Sequence, residues 1–145
     1  MGNLQGYVIM KEYLNKNGEV LHCIYRLDDL EGERFDFTSE DKYLQGALMK
    51  MNNGKSFRTH KHIKCERHID MTQETWVVIR GKVQVDYYDQ DDKLMGTETI
   101  NSGDCTITFG GGHKFSCLAD DTVVYEFKNG PYFGREADKE FIGED

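Results

Sequence analysis

The sequence has few of the residues that interrupt, cross-link or anchor a chain. It contains one proline, and its four cysteines form no Cys-x-x-Cys pair. This spacing argues against a thiol-based metal or redox motif, so we predict free thiols in a reducing compartment. No apolar run approaches the roughly 20 residues of a membrane-spanning helix. The sequence therefore predicts no helical membrane span.

Basic residues are also in the minority. The chain has 18 Lys and Arg against 26 Asp and Glu, for a formal net charge of -8. Phosphates would be repelled by this surface, so we expect neither a nucleic-acid partner nor an anionic membrane partner. The first residues lack a basic stretch followed by a long apolar run, which a secretory signal would have. We therefore expect a cytoplasmic location.

The residues that are present favour one ordinary folded domain. The chain has 145 residues, which suits a single domain over residues 1–145. Its 8 Tyr, 8 Phe and 1 Trp exclude a disordered composition. A chain of this length buries roughly two thirds of the surface exposed by the unfolded chain. Folding is therefore not expected to need a disulfide or a metal.

Glycines and polar turns divide the chain into short β-branched and aromatic runs, which predict an all-β fold. Turn signals recur about every 8–12 residues, as in a sandwich or barrel. Helix is scarce, and only a short one is suggested after a possible N-cap at Ser39. The predicted strands are Val20–Leu27, Leu44–Met51, Thr75–Gly81, Lys82–Asp89, Leu94–Ile100, Cys105–Phe109, Lys114–Ala119 and Thr122–Lys128. Within such runs, Cys105 and Cys117 are expected to be small buried side chains.

Charged residues and histidines collect where the central strands begin. His60 and His62 have the same parity, so they point to one side if the stretch between them is extended. Glu74 shares a strand face with Trp76 and Val78. A carboxylate on such an apolar face is expensive to bury unless something pairs with it. This is the first indication of a site.

These residues allow two interpretations, a metal site and a solvated surface loop. Two histidines at i and i+2, a carboxylate on a second strand and His113 on a third can surround a cation. Neutral imidazole and carboxylate suit divalent transition metals. The alternative is a charged surface loop in which His60 and His62 simply flank Lys61. Spacing alone does not choose between a metal site and a solvated loop.

Rather more than half of the chain resembles the cupin superfamily. The first cupin motif has Gly, five residues, His-x-His, a spacer, Glu, six residues and Gly. Here Gly54 precedes "KSFRT", His60 and His62, and Glu74 precedes "TWVVIR" and Gly81. The spacer between His62 and Glu74 has eleven residues, where about three or four are usual. Glu66 fits the usual spacer but has no glycine seven residues later, so Glu74 is the better match.

The second cupin motif has Gly, five residues, Pro-x-Gly, two residues and His. Here Gly103 precedes "DCTIT" and then "FGGGH", which ends at His113. Phe109 stands in the place of the proline, and the motif is one residue short. The text "TQETWVVIRGKVQVDYYD" and "YEFKNGPYFGREADK" is similar to a subgroup of small bacterial cupins. Members of that subgroup are often met alongside polysaccharide or nucleotide-sugar biosynthesis, largely without an assigned activity.

The resemblance implies a double-stranded β-helix, or jelly-roll barrel, with its core at about residues 44–134 and an N-terminal strand extension. It implies one divalent transition metal (Zn, Fe, Mn, Ni or Co) near one mouth. The implied ligands are His60, His62, Glu74 and His113. It also implies a homodimer, since such folds commonly shield sheet edges in this way.

On this resemblance, we expect a metal-dependent isomerase, epimerase, lyase or oxygenase acting on a small polar, sugar-derived metabolite. Glu66 or His68 is the candidate catalytic base. An anionic metabolite would find arginines nearby in the sequence. The alternatives are a non-catalytic carbohydrate-binding or sensing module and a metal-free sugar epimerase. His22 is expected to have a structural role only.

Overall fold

A computed structural model describes residues 10–143, and these residues are mostly β-strand. The strands are β1 (Lys11–Leu14), β2 (Val20–Tyr25), β3 (Arg34–Asp36), β4 (Ala47–Met49), β5 (Glu74–Arg80), β6 (Lys82–Tyr88), β7 (Leu94–Asn101), β8 (Cys105–Thr108), β9 (Gly112–Cys117) and β10 (Val123–Lys128). A 3-10 turn covers Leu27–Asp29, and one helical turn, α1, covers Arg135–Asp138. No helix within residues 10–143 has the length and apolar character needed to cross a bilayer.

The strands form three antiparallel sheets. The largest has five strands in the order β1-β2-β8-β5-β10, and a three-stranded sheet has the order β7-β6-β9. β3 and β4 form a separate two-stranded sheet. Both larger sheets contribute to one apolar cluster, which holds Ile24 and Val78 from one sheet and Val85, Tyr87 and Ile100 from the other. The two sheets therefore pack face to face around a shared core.

A second apolar cluster covers the outer face of the five-stranded sheet. Cys23, Ile107 and Phe109 are its buried members, and Phe37 and Leu44 pack against them. Successive residues of a strand point to opposite faces, so β2 contributes side chains to both clusters and β8 to the outer one. The segment around β3 and β4 thus serves as a cover for that sheet rather than as part of the sandwich.

Strand pairing brings three polar residues to one end of the sandwich. Thr108, the last residue of β8, lies opposite Glu74 on β5 and opposite His22 on β2. In the three-stranded sheet, His113 on β9 lies opposite Tyr87 on β6. The functional residues described below therefore come from both sheets, at the end where β5 begins and β8 ends.

The all-β prediction is confirmed, and several details differ. β5 to β10 lie at the predicted positions within about two residues. β1 and β3 were missed, and Leu44–Met51 contains only the short β4. Residues 39–45 form turns and bends rather than a helix. None of the three sheets closes into a barrel, so the jelly roll remains an expectation.

The cysteine predictions are confirmed only in part. All four thiols are free, and Cys23 is buried. Cys105 is half-buried, whereas Cys117 is exposed. Cys117 was predicted to be buried, and that is wrong because it is the last residue of β9, where the strand runs out into a solvent-exposed turn.

One long stretch has no regular secondary structure. Residues 50–71 contain only turns and irregular backbone, and every one of them is exposed. This stretch, called here the 50–71 segment, joins β4 to the short approach to β5. It contains four of the residues that the sequence proposed for the site, namely His60, His62, Glu66 and His68.

Candidate functional site

The site is centred on a carboxyl and an imidazole group that meet across the two sheets. Glu74 is the first residue of β5, and His113 is the second residue of β9. Glu74 Oε1 lies 3.4 Å from His113 Nε2. The side chain of Glu74 is 11% exposed and that of His113 is 24% exposed. The pair is therefore mostly withdrawn from water but still reachable by a small molecule.

Burial pushes the pKa values of both groups toward their neutral forms. It lowers the pKa of His113 to about 4, and the positive charge of Lys139 acts in the same direction. Burial raises the pKa of Glu74, and the nearby Glu126 carboxylate raises it further. A base whose pKa is lowered and an acid whose pKa is raised, side by side, are typical of groups that exchange protons.

A chain of hydrogen bonds supports His113 from behind. His113 Nδ1 lies 2.8 Å from the Thr108 hydroxyl oxygen. The same hydroxyl lies 2.9 Å from Nδ1 of His22. His22 in turn uses Nε2 to donate to the Tyr88 carbonyl oxygen at 2.9 Å. Three side chains on β9, β8 and β2 are therefore linked into one polar path, called here the histidine relay.

Glycine is required where the chain enters β9. Gly111 has φ of +76°, in the left-handed region. A Cβ on this residue would collide with the Tyr88 carbonyl oxygen and crowd His22 Nε2. Gly111 therefore allows its backbone to pass close to Tyr88. This close approach lets the Tyr88 carbonyl and His113 take their places at the two ends of the histidine relay.

Aromatic side chains flank the carboxyl–imidazole pair. The rings of Trp76 and Phe115 stack across the two sheets with centroids 3.7 Å apart. His113 lies beside Phe115, with ring centroids 4.7 Å apart. Trp76 Nε1 donates to Glu126 at 3.0 Å, which fixes the indole plane. Trp76 and Phe115 also line an open cleft of about 250 Å³, whose other lining residues are Val83, Cys117, Thr122 and Val124.

The C-terminal stretch packs over the same end of the sandwich. Thr72 donates to Asp138 at 2.5 Å, and Lys128 Nζ lies 3.6 Å from the same carboxylate. Ile142 sits against Gly112, where a Cβ would collide with it. The stretch after β10 is therefore tied down beside the site, and it brings Lys139 near the pair.

The structure leaves the two remaining predicted metal ligands in the exposed segment. His60 and His62 lie edge to face with ring centroids 5.6 Å apart. His60 Nδ1 donates to the Arg58 carbonyl oxygen at 2.9 Å. Among residues 10–143, no three His, Cys, Asp or Glu side chains are gathered as a metal ion would require. The four predicted ligands therefore form two separate pairs, His60 with His62 and Glu74 with His113. The four-ligand set stays a prediction.

The predicted catalytic bases also lie in the 50–71 segment. Glu66 and His68 are both exposed. His68 lines an open cleft of about 430 Å³ together with Arg67, Tyr43 and residues of the 40–45 turn. That cleft contains neither member of the carboxyl–imidazole pair. Their role as bases stays a prediction, and the structure offers no contact that assigns it.

The structural role expected for His22 agrees with the structure, where the ring is buried and both nitrogens are hydrogen-bonded. Sequence reasoning did not find that His22 is linked to His113, and it did not single out Thr108 at all. Two other polar residues near the site have separate partners, since Gln73 accepts from the amides of residues 43 and 44, and Asp86 accepts from the Thr97 hydroxyl. The pairing of β2 with β8 would have revealed the relay, but a sequence pattern does not specify that pairing.

Comparison with known proteins returned no match from any family model, curated protein or solved structure. The resemblance to cupins therefore stays an inference from two short motifs, and the function has to be argued from the site itself.

Proposed function

We propose that this chain is an enzyme that transfers protons on a small polar, sugar-derived metabolite. The observation that carries the proposal is the 3.4 Å separation of the Glu74 carboxyl and the His113 imidazole, both mostly buried. Proton transfer next to a carbonyl, as in an isomerase or epimerase, needs an acid and a base of matched strength. Burial lowers the pKa of His113 to about 4 and raises the pKa of Glu74, so both shifts favour the neutral forms that such an acid and base need.

The surroundings of the pair support a small substrate with a polar reacting end. The cleft lined by Trp76 and Phe115 measures about 250 Å³, slightly below the usual size of a small-molecule site. Its lining contains neither Glu74 nor His113 but begins at the two rings next to the pair, and it is largely aromatic and aliphatic, so it suits the non-reacting face of a sugar-like ring. Lys128 and Lys139 lie near enough to the pair to lower the pKa of Glu74, and they supply positive charge for an anionic group. The metabolite class itself comes from the resemblance to the subgroup of small cupins.

The sheet topology supports a cupin-type jelly roll as the scaffold. β5 pairs with β10, and β6 pairs with β9, so later strands fold back onto earlier ones in a nested order. Nested antiparallel pairing of this kind is expected when a long hairpin is wound around a sandwich. In such a scaffold the space between the sheets opens at one end, and Glu74 and His113 lie where strands from both sheets meet.

Deuterium exchange tests the proposal directly. The protein is incubated in D2O with a panel of free sugars and nucleotide sugars, and substrate C–H signals are followed by NMR. Glu74→Gln and His113→Ala are expected to slow exchange by about 100-fold or more, the usual contribution of a general acid or base. Glu33→Gln is the matched control, since Glu33 is exposed and belongs to neither cleft.

Each outcome of this experiment separates the candidates. Exchange that persists in both Glu74→Gln and His113→Ala contradicts the proposal. If Glu66→Gln or His68→Ala abolishes exchange instead, the base is the one that the sequence predicted. Saturable binding with no exchange in wild-type protein indicates the carbohydrate-binding alternative.

A divalent-metal site is the second candidate, and the state of the imidazole nitrogens favours it. A ligating histidine usually has its other nitrogen held by an acceptor. His113 Nδ1 is held by the Thr108 hydroxyl, and His60 Nδ1 is held by a backbone carbonyl. In each ring Nε2 is the nitrogen that is not held by this contact and can face a ligand. A bound metal ion would supply Lewis-acid polarisation of a carbonyl or hydroxyl, and His60, His62, Glu74 and His113 would hold it.

Elemental analysis of untagged protein tests the metal candidate. A four-residue site predicts that His113→Ala and the double variant His60→Ala/His62→Ala both remove most of the bound metal. Metal retained at full stoichiometry by His113→Ala contradicts this ligand set. Metal lost from His113→Ala but not from the double variant would leave the buried pair as the binding centre, with other ligands completing it.

A further inference from the structure

The histidine relay assigns a direction to the proposed proton transfer. We infer that His22 and Thr108 are positioning residues that hold His113 as the Nδ1–H tautomer, with the lone pair of Nε2 facing Glu74. The inference rests on the proposed function only for its catalytic consequence, since the tautomer is a property of the ligand-free protein.

The inner end of the relay fixes the position of the hydrogen on His22. The Tyr88 carbonyl oxygen can only accept, so His22 Nε2, at 2.9 Å, carries a hydrogen. His22 is 0% exposed, and its two nitrogens face a carbonyl and a hydroxyl rather than a carboxylate. A second proton on this ring would therefore be a buried charge without a counter-ion. His22 is thus neutral, and its Nδ1 is an acceptor. Burial lowers the pKa of His22 to about 4, in agreement.

The Thr108 hydroxyl then determines which nitrogen of His113 carries the hydrogen. A hydroxyl has one hydrogen, and Thr108 donates it to the acceptor at His22 Nδ1. Toward His113 the same oxygen has only lone pairs to offer. His113 Nδ1, at 2.8 Å, must therefore be the donor. His113 Nε2 lies 3.4 Å from Glu74 Oε1, farther than the roughly 2.7–2.9 Å of a charge-assisted hydrogen bond, so the two groups do not form a close ion pair. A neutral imidazole has one N–H, so His113 Nε2 is left without a hydrogen.

The consequence lies in the gap between Nε2 of His113 and Oε1 of Glu74. With Nε2 unprotonated, a carboxylate at 3.4 Å would set two lone pairs against each other. The gap favours a proton on Glu74 or a cation between the groups. Where the proton is on Glu74, His113 is the base and Glu74 the acid of the resting pair. Without the relay, His113 would be free to place its hydrogen on Nε2, which is the more stable tautomer in water.

The test is the tautomer of His113, read from the ¹⁵N chemical shifts of its ring in protein labelled with ¹⁵N-histidine. At pH 7.5 in wild-type protein, Nδ1 is expected to be protonated and Nε2 unprotonated, while His22 shows the opposite pattern. Thr108→Val removes the hydroxyl and keeps the side-chain shape. It is expected to convert His113 to a population dominated by Nε2–H and to leave His22 unchanged.

Two controls make the readout specific. Thr108→Ser keeps the hydroxyl and should retain the wild-type tautomer. Thr75→Val removes a different hydroxyl of the same sheet, which donates to the Thr106 carbonyl oxygen, and should also leave His113 unchanged. Nε2–H on His113 in wild-type protein, or an unaltered tautomer in folded Thr108→Val, overturns the inference. If Thr108→Val does not fold, the wild-type shifts decide alone, and failure to find a substrate leaves this result standing.

Discussion

The end of the sandwich where β5 begins, called here the mouth, contains the same kinds of side chain as the 50–71 segment. The side chains at the mouth are mostly buried, whereas those of the segment are exposed. At the mouth, Glu74 and His113 are held by paired strands, and a buried hydroxyl fixes the imidazole. In the segment, Glu66 and the three histidines are exposed on irregular backbone. The pKa of His113 is lowered to about 4 by its burial. The comparison teaches that residue type alone does not make a chemical site, because burial and fixed partners set the chemistry.

The two regions should differ most in their tolerance of an added methyl group on glycine. Gly111→Ala is expected to cost about 2–5 kcal/mol of unfolding free energy, because φ is positive and the Cβ meets the Tyr88 carbonyl. Gly54→Ala is the matched control, since Gly54 also has positive φ but has nothing within 4 Å of an added Cβ. It should cost about 1–2 kcal/mol. Urea denaturation measures both, and equal losses would contradict the role given to Gly111.

Acid should destabilise the protein through the buried histidines rather than the exposed ones. The pKa values of His22 and His113 are lowered from 6.5 to about 4, so the unfolded chain binds more protons between these values. Stability is therefore complete above about pH 6.5 and falls toward pH 4, by up to about 1.4 kcal/mol per pH unit for each histidine. Glu74 acts in the opposite sense, because its pKa is raised above 4.5 and its share is lost as pH rises.

Unfolding free energies measured from pH 4 to 7 at constant ionic strength check this dependence. His113→Gln should flatten the slope. A wild-type stability that does not fall over this range, or an unaltered slope in His113→Gln, would contradict the assignment of the slope to the buried rings.

Removing a single lysine charge should have a smaller effect, which is a change in the pKa values of His113 and Glu74 when the lysine lies beside the site but not when it lies in the 50–71 segment. The charge of Lys139 lowers the pKa values of both His113 and Glu74. Lys139→Met is therefore expected to raise both, as followed by NMR titration of the ring and the carboxyl group. Lys61→Met, in the exposed segment, is the control and should leave both unchanged. An unmoved His113 in Lys139→Met would show that the C-terminal stretch is not held beside the site in solution.

The smallest effect is expected from the exposed histidines themselves. His60→Ala/His62→Ala should change the unfolding free energy by less than about 0.5 kcal/mol, because both residues are exposed and contact only each other and a neighbouring backbone carbonyl. His113→Ala is the comparison and should cost several times as much. A large loss in the double variant, measured in metal-free protein, would mean that the segment packs in solution.

The sequence predicted the scaffold better than the site. Alternation and turn residues were sufficient for β5 to β10, including β9 and β10, which have no fully buried residue. β1 was missed because Lys11 and Glu12 are exposed and leave little alternation. Glu74 and His113 were predicted from motifs and are brought together. His22 and Thr108 were not found, because their meeting depends on the register between β2 and β8 rather than on local pattern.

The stacking of Trp76 on Phe115 gives the protein an intrinsic fluorescent probe of the site. Trp76 is the sole indole in the chain, and its ring nitrogen is tied to a carboxylate beside the pair. Fluorescence excited at wavelengths that indole absorbs and the 8 tyrosines do not thus originates at one place, within two residues of Glu74. A compound that displaces Phe115, or neutralises the carboxylate at position 126, would alter emission intensity or colour. Unlabelled protein can therefore be screened for ligands in a plate reader before any turnover is known.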